Sequence, residues 1–555
     1  MRLIIKYGRL PDKILGLIEV KSMRARGDIL LISCYELGHP SFGLALLSGF
    51  LEKGGFLPET IDLAVSKLSQ QSLLRAKLIG ISVPMHTALR IGVRVAEQAR
   101  KINPNCKIAF FGLYASLNAD FLMKHLSDVV IGGEVEEAFV QMAESFADEG
   151  NVPCEGNLPN EAQPPRMVSK REDRALSVRA RVGRRLRGVG ALRTEVSSPP
   201  HVNRRLHSFA APSRATFPPL SLYAHLEVKG TRSLAGYVEA SRGCRHLCRH
   251  CPIPPVYGGR FTIIPEEILL EDIGAQVALG AAHITFGDPD FLNGPNHSIK
   301  IVRQMHKKFP ALTYDFTAKI EHLLAYQDLL PEFAALGCIF IISAVESISD
   351  TVLHHLDKGH TRADVIKAIK IVHGNGIALR PSLVPFTPWE SLDGYISLFD
   401  FAEHYQLIHH VDPIQYTVRL LIPPGSLLLS TTAMAPYLGP LIQDDFSYQW
   451  KHPDPRMDAL QKQVRREVEQ MTGSDAHPAD IFYQLKESAI RMAKGQCIVH
   501  LSRPLPVRAT SAHSQRLDLP PRMTEPWFCC SEPTENQIAV LDCEFIKSED
   551  RALPV

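Results

Sequence analysis

The sequence predicts an α/β protein: a doubly wound parallel sheet at the N-terminal end, then a partial (β/α)6 barrel, then a mostly helical or irregular C-terminal extension. Three observations predict it. Short apolar runs alternate with amphipathic stretches from Asp28 to about Ala147. A second alternation of the same kind runs from Tyr237 to about Pro424. Between about Gly150 and Pro219 the periodicity disappears and arginine accumulates.

The chain has 555 residues, 45% of them hydrophobic, and a net charge of +2, which is material for two or three cored domains. In the first part (1–149), DILLIS, TIDL, LIGISV, KIAFFG and DVVIGG read as strands, with GLALLSGFLEKGG, TALRIGVRVAEQARKI, NADFLMKHL and EVEEAFVQMAESFA as the helices between them. Strands apolar along their whole length are buried on both faces, so helices cover both sides of a parallel sheet. Residues 150–219, with KREDRALSVRARVGRRLRGVGALR, read as a flexible linker or insertion. A basic run also suits RNA or an acidic partner, but composition alone assigns it no role, and nucleic acid is not expected as a partner.

In the third part (220–425), GYVEAS, HITFGD, TYDFTAKI, CIFIISAVES, ALRPSLVPF and QYTVRLLIP read as six strands with helices between them. Periodicity alone does not separate a partial barrel from an open sheet. In the last part (426–555), MDALQKQVRREVEQM and IFYQLKESAIRMA read as helices before a Pro-rich tail. No stretch approaches the roughly 20 apolar residues that cross a bilayer, and the apolar run in MRLIIKYGRLPDK is too short for a signal peptide's core, so a cytoplasmic protein with no membrane partner is expected. The 11 cysteines are an odd number and three cluster in one segment, which favours a metal or redox role over a disulfide framework.

That segment is SRGCRHLCRHCPIPPVYGG, where Cys244, Cys248 and Cys251 follow the first expected barrel strand. Three thiolates on a tight loop ligate three irons of a cubane and leave the fourth open. A tetrahedral zinc site completed by His246 or His250 is the alternative, although zinc motifs usually pair CxxC with a second distant pair, which is absent here. The CxxxCxxC spacing resembles the signature of the radical S-adenosylmethionine (SAM) superfamily. That resemblance implies a 4Fe-4S cluster, SAM chelated at its open iron, and reductive cleavage to methionine and a 5′-deoxyadenosyl radical, with an electron donor such as flavodoxin or ferredoxin. The residue before the last cysteine is often aromatic in that superfamily; here it is His250.

Other strand ends carry polar groups. HITFGDPDFLNGP places Gly287, Asp288 and Asp290 where the superfamily commonly binds the SAM amino group; capping of the next helix is the alternative. IISAVES places Ser343 and Glu346 where ribose or carboxylate contacts are expected, against the alternative of a partly exposed strand end. Glu321, His322, Arg380 and Arg419 are further polar groups in apolar surroundings; each arginine suits a carboxylate, a phosphate or an internal ion pair.

GISVPMHT and FFGLYASLNADFLMKHLSDVVIGGEVEEAF resemble the cobalamin-binding domain that precedes many radical SAM barrels. The DxHxxG sequence that supplies an axial histidine in many such domains is absent, and His39 and His86 read as structural more readily than as cobalt ligands. Cobalamin and a degenerate domain kept for shape both stay open. Near the end, TEPWFCCSEPTENQ pairs Cys529 with Cys530; a vicinal disulfide closes a small strained ring and is easily reduced, which suits a redox or catalytic group, while two chance thiols are the alternative.

YELGHPSFGLA, FFGLYASLNADF, the cysteine segment, HITFGDPDFLNGP, KIEHLL, SAVES, LDKGHT, RPSLVPFTPWESL, RLLIPPGSLL and EPWFCCSEP together resemble the CUAEP/CCAEP-tail radical SAM family. In that family the position of Cys530 is selenocysteine in some members, and the alanine that follows it is here Ser531. The resemblance implies a reactive chalcogen in the tail and leaves the substrate open. A cobalamin-dependent radical methylase, and a non-catalytic iron-sulfur or zinc carrier, are the competing readings.

Overall fold

The computed structural model describes residues 23–148, 168–169, 209–474, 476–495 and 519–525. The strands β1 (Ile29–Ser33), β2 (Glu59–Asp62), β3 (Leu78–Ser82), β4 (Lys107–Phe111) and β5 (Val129–Ile131) are parallel in the order β2-β1-β3-β4-β5. A sixth, β6 (Val168–Ser169), adds antiparallel to β5. All of β1 and β3 is buried, as their unbroken apolar sequence requires. Leu30 and Ile32 pack with helix His86–Ile102, while Ile29 and Leu31 face helices Phe42–Lys53 and Glu136–Asp148. Strand order reverses between β1 and β3, so a crevice opens beyond their carboxyl ends.

The second sheet begins with a hairpin, β7 (His225–Val228) and β8 (Thr231–Val238). A ribbon of β9 (Ser241–Gly243) and β10 (Phe261–Ile263) follows. The parallel strands β11 (His283–Phe286), β12 (Thr313–Ala318), β13 (Cys338–Glu346) and β14 (Ala378–Leu383) then continue from β8. A second ribbon pairs β15 (Leu438–Ile442) with β16 (Ser447–Trp450), and β17 (Arg522–Met523) returns to pair with β7. The sheet therefore runs β14-β13-β12-β11-β8-β7-β17.

Two features differ from the sequence reading. The segment expected as a sixth barrel strand, QYTVRLLIP, makes only the isolated bridge Phe386–Arg419. It starts in a 3-10 turn at Pro413–Thr417 and stops at Pro423, which leaves little backbone free for a ladder. Part of the stretch expected to be a flexible linker is packed. Ser213 N donates to Ala45 O at 2.8 Å, and the Arg214 guanidinium grips Asp272 at 2.7 and 2.8 Å with both side chains buried. The arginine-rich run KREDRALSVRARVGRRLRGVGALR itself lies outside the described residues.

The two expected C-terminal helices form as Pro455–Gly473 and Pro478–Ala493, and the second buries Phe482 against Phe399 and Tyr416. No described helix is long and apolar enough to cross a membrane.

Candidate active site at the seam of two sheets

A cavity of about 390 Å³ lies where the carboxyl ends of the two sheets face each other. Residues after β1, β3 and β4 (Glu36, His39, Pro84, Gly112) form one wall, and the barrel interior with the cysteine loop forms the other. Both arrangements follow the rule that α/β sites sit beyond strand carboxyl ends.

Cys244, Cys248 and Cys251 line this cavity, and none of the three is in a disulfide. Gly243 starts their loop at φ 80°, where a Cβ would meet Arg260 O at 2.5 Å, so only glycine makes the turn. Asn293 Oδ1 accepts from Arg245 N at 3.3 Å, and Arg249 N donates to Leu356 O at 2.9 Å. The Cys244 thiol also reaches that Asn293 oxygen, at 3.8 Å. Burial pushes the Cys244 thiol up to about 11, so a thiolate there requires a bound cation. The histidines that would complete a zinc site are engaged elsewhere. His246 lies 3.1 Å from both His322 Nε2 and Lys319 Nζ, and His250 Nε2 lies 3.5 Å from Glu346.

The other expected residues divide. Gly287 lines the cavity, and a Cβ there would sit 1.8 Å from the Tyr237 hydroxyl, so its bareness lets the Tyr237 ring lie across the strand end. Asp288 lines it too but accepts from Ala240 N at 2.8 Å and Ser241 Oγ at 2.6 Å; burial lifts its carboxyl to about 7. Asp290 is not among the described lining residues: Oδ1 accepts from Leu292 N and caps a short turn. Ser343 is likewise absent from the wall, its hydroxyl donating to Ala318 O at 2.9 Å.

Glu346 faces the cavity from a left-handed backbone position, φ 63°. Burial alone would raise its carboxyl, but Lys358, 3.0 Å away, and His250 outweigh that and hold it at about 2. Arg380 lines the wall paired with Asp412 at 2.9 Å, whereas Arg419 lies elsewhere, bonded to Asp458 and stacked 3.5 Å from the Trp450 ring. Cys529 and Cys530 lie outside the described residues. Glu525, four positions before Cys529, lines the cavity and accepts from Tyr35 OH at 2.9 Å.

Lys358 was not singled out from sequence, although LDKGHT carried it. Its side chain is 3% exposed, and the buried ammonium shares the cavity wall with Cys248 and Cys251. Arg242 was missed as well. It bonds Glu136, Glu134 at 3.2 Å and Glu239 at 3.1 Å, tying the two sheets together. Beside it burial lifts Glu36 to about 8.

These residues fit a three-thiolate cluster with an open side: three thiols on one loop outside any disulfide, a braced loop, and free volume in front of them. Of the two histidines near the opposite wall, His39 lines the cavity and His86 is not among its described lining residues. His86 Nε2 is taken by Asp445 O at 2.6 Å, and His39 stacks on Tyr237 with 4.8 Å between ring centroids.

Comparison with known proteins agrees with this partition. Residues 238–398 match the radical SAM superfamily model and residues 29–143 match the B12 binding domain model. A tRNA-2-methylthio-N(6)-dimethylallyladenosine synthase of Desulfosudis oleivorans is 25% identical over 36% of this chain and 44% of its own length. The hopanoid C-3 methylase of Methylococcus capsulatus is 21% identical over 63% of this chain and 61% of its own. The chain thus spans less than two thirds of either relative. Among solved structures, the cobalamin-dependent S-adenosylmethionine radical enzyme OxsB with aqua-cobalamin bound shares the fold, with a TM-score of 0.61 at 16% identity over 87% of this chain and 73% of that one.

Proposed function

From a chain that joins a B12-binding domain to a radical SAM domain, we propose an enzyme that reductively cleaves SAM at a 4Fe-4S cluster held by Cys244, Cys248 and Cys251, and directs the product radical onto a substrate in the shared cavity. The observation that carries this is that Cys244, Cys248 and Cys251 share one wall of that cavity. When bound, the cluster supplies the electron that breaks a carbon-sulfur bond of SAM, giving methionine and the 5′-deoxyadenosyl radical.

The chain's own residues hold and enclose. Lys358 offers a buried ammonium to the SAM carboxylate, and Glu346 keeps that ammonium in place. Asp288 fixes the strand end where Gly287 presents bare backbone to the SAM amino group. Phe340 and Ile342 give the wall an apolar surface that excludes water. Asp290 and Ser343 act by positioning, through the turn cap and the Ala318 bond. The electron comes from a low-potential donor such as flavodoxin or ferredoxin.

The resemblance to the CCAEP-tail family gives Cys529 and Cys530 the role of a redox-active pair. The position of Glu525 supports it: four residues extend at most about 14 Å. Anaerobically reconstituted protein with reductant and SAM yields deoxyadenosine above a Cys244→Ala variant; equal amounts refute the proposal. A second reading, a cobalamin-dependent radical SAM methyltransferase, is favoured by the cavity wall that the B12-binding domain contributes. Cobalamin absorbance retained after purification from supplemented cells supports it, and its absence counts against it.

A further inference from the structure

We propose that one divalent transition-metal ion, zinc or ferrous iron, binds between His246, His322 and Asp290, beside the thiol loop and separate from the cluster. One donor atom from each residue lies within 4.8 Å of the other two. The two Nε2 atoms face each other at 3.1 Å, and Asp290 Oδ2 lies 2.7 Å from His322 Nδ1 and 3.6 Å from His246 Nε2. A ring gives one nitrogen to an ion, so His322 would bind through Nδ1 beside Asp290 Oδ2 at 2.7 Å, with His246 Nε2 3.6 Å from that oxygen; donors sharing an ion through bonds of about 2.0–2.2 Å stand roughly 3 Å apart.

A second observation points the same way. The Asp290 side chain is 0% and the His322 side chain 5% exposed, yet Asp290 Oδ2 and His322 Nδ1 have no aligned hydrogen-bond partner among the described residues. Two imidazoles and one carboxylate suit zinc, ferrous iron or manganese rather than a thiophilic ion.

The ligands come from three segments: His246 from the thiol loop, Asp290 from the end of β11, and His322 from helix Ile320–Ala325. An ion there staples the loop to two barrel strand ends. On the outer side, Lys319 Nζ lies 3.1 Å from His246 Nδ1 and 3.2 Å from Glu321, whose carboxylate lies 3.7 Å from that same nitrogen. Glu321 balances Lys319, so Asp290 leaves the pocket net negative.

The experiment uses full-length protein with its cluster loaded, dialysed anaerobically against cobalt(II) and desalted. Expected is one retained cobalt with weak d–d bands and no intense thiolate charge-transfer band. His322→Gln and Asp290→Asn, whose amide oxygen still caps Leu292, weaken retention about tenfold or more with cluster iron and sulfide unchanged. Cobalt that is not retained, that shows a thiolate band, or that is retained equally by both variants overturns the site and leaves a proton shared between the two rings. Iron and sulfide measured on the same sample report separately on the cluster, so loss of one assignment is distinguishable from loss of the other.

Discussion

Replacing Arg242 by methionine tests how the two domains are held together. The guanidinium contacts Glu134 and Glu136, whose side chains are 0% exposed, and Glu239. Methionine keeps an apolar stem over the Phe42 ring, which lies 5.6 Å from the guanidinium carbon, and removes the charge. Stripping one partner from a buried ion pair costs about 3–5 kcal/mol, because the remaining charges stay desolvated. At about 2–4 °C per kcal/mol for a domain of this size, melting falls by roughly 6–20 °C. Burial already holds Glu134 at about 7, above its ordinary 4.5, even with Arg242 present. A raised carboxyl binds its proton more tightly folded than unfolded, so its stability is present below 4.5 and is lost as pH rises through about 7. Without the cation that effect grows, so the melting deficit of Arg242→Met is larger at pH 8 than at pH 6. Adding Glu134→Gln recovers part of it. Thermal melts of wild type and variant at both pH values decide the matter: a drop under about 2 °C at pH 8, or a deficit that deepens on acidification, refutes the account.

Lys358→Met loads its cluster normally but binds SAM about tenfold or more weakly, measured by equilibrium binding; unchanged affinity removes Lys358 from the site. Gly287→Ala forces the Tyr237 ring aside and costs about 1–3 kcal/mol, read from denaturant melts with a retained cluster spectrum. Glu36, lifted by burial to about 8, gives a stability term that declines between pH 4.5 and 8, so Glu36→Gln flattens the pH dependence of melting across that window. The double variant Cys529→Ser and Cys530→Ser retains cluster iron and deoxyadenosine formation; loss of iron would make these thiols cluster ligands instead.

Much of this architecture is written in local pattern. The runs ILLIS and LIGIS declare buried parallel strands because no polar residue interrupts them, and they are β1 and β3. The thiol loop is legible from spacing alone. What sequence hid depends on distant partners. Asp288 and Asp290 look equivalent two residues apart, yet one lines the cavity and the other caps the turn Phe291–Asn293 and lies against His322. Arg242 reads as one more loop cation until Glu134 and Glu136 arrive from more than a hundred residues earlier. The two-residue β17 carries no periodicity, and only its edge position beside β7 gives it a ladder.

That last strand ties the chain's end to its middle. Thr524 N donates to His225 O, and His225 N returns a bond to Thr524 Oγ1 across 299 positions of sequence. A ribosome delivers residues 225–383 long before it delivers 522–525, so the edge of β7 is synthesised well before its partner. Glu525, on the cavity rim, is therefore held by a strand whose partner lies about three hundred residues earlier in the chain.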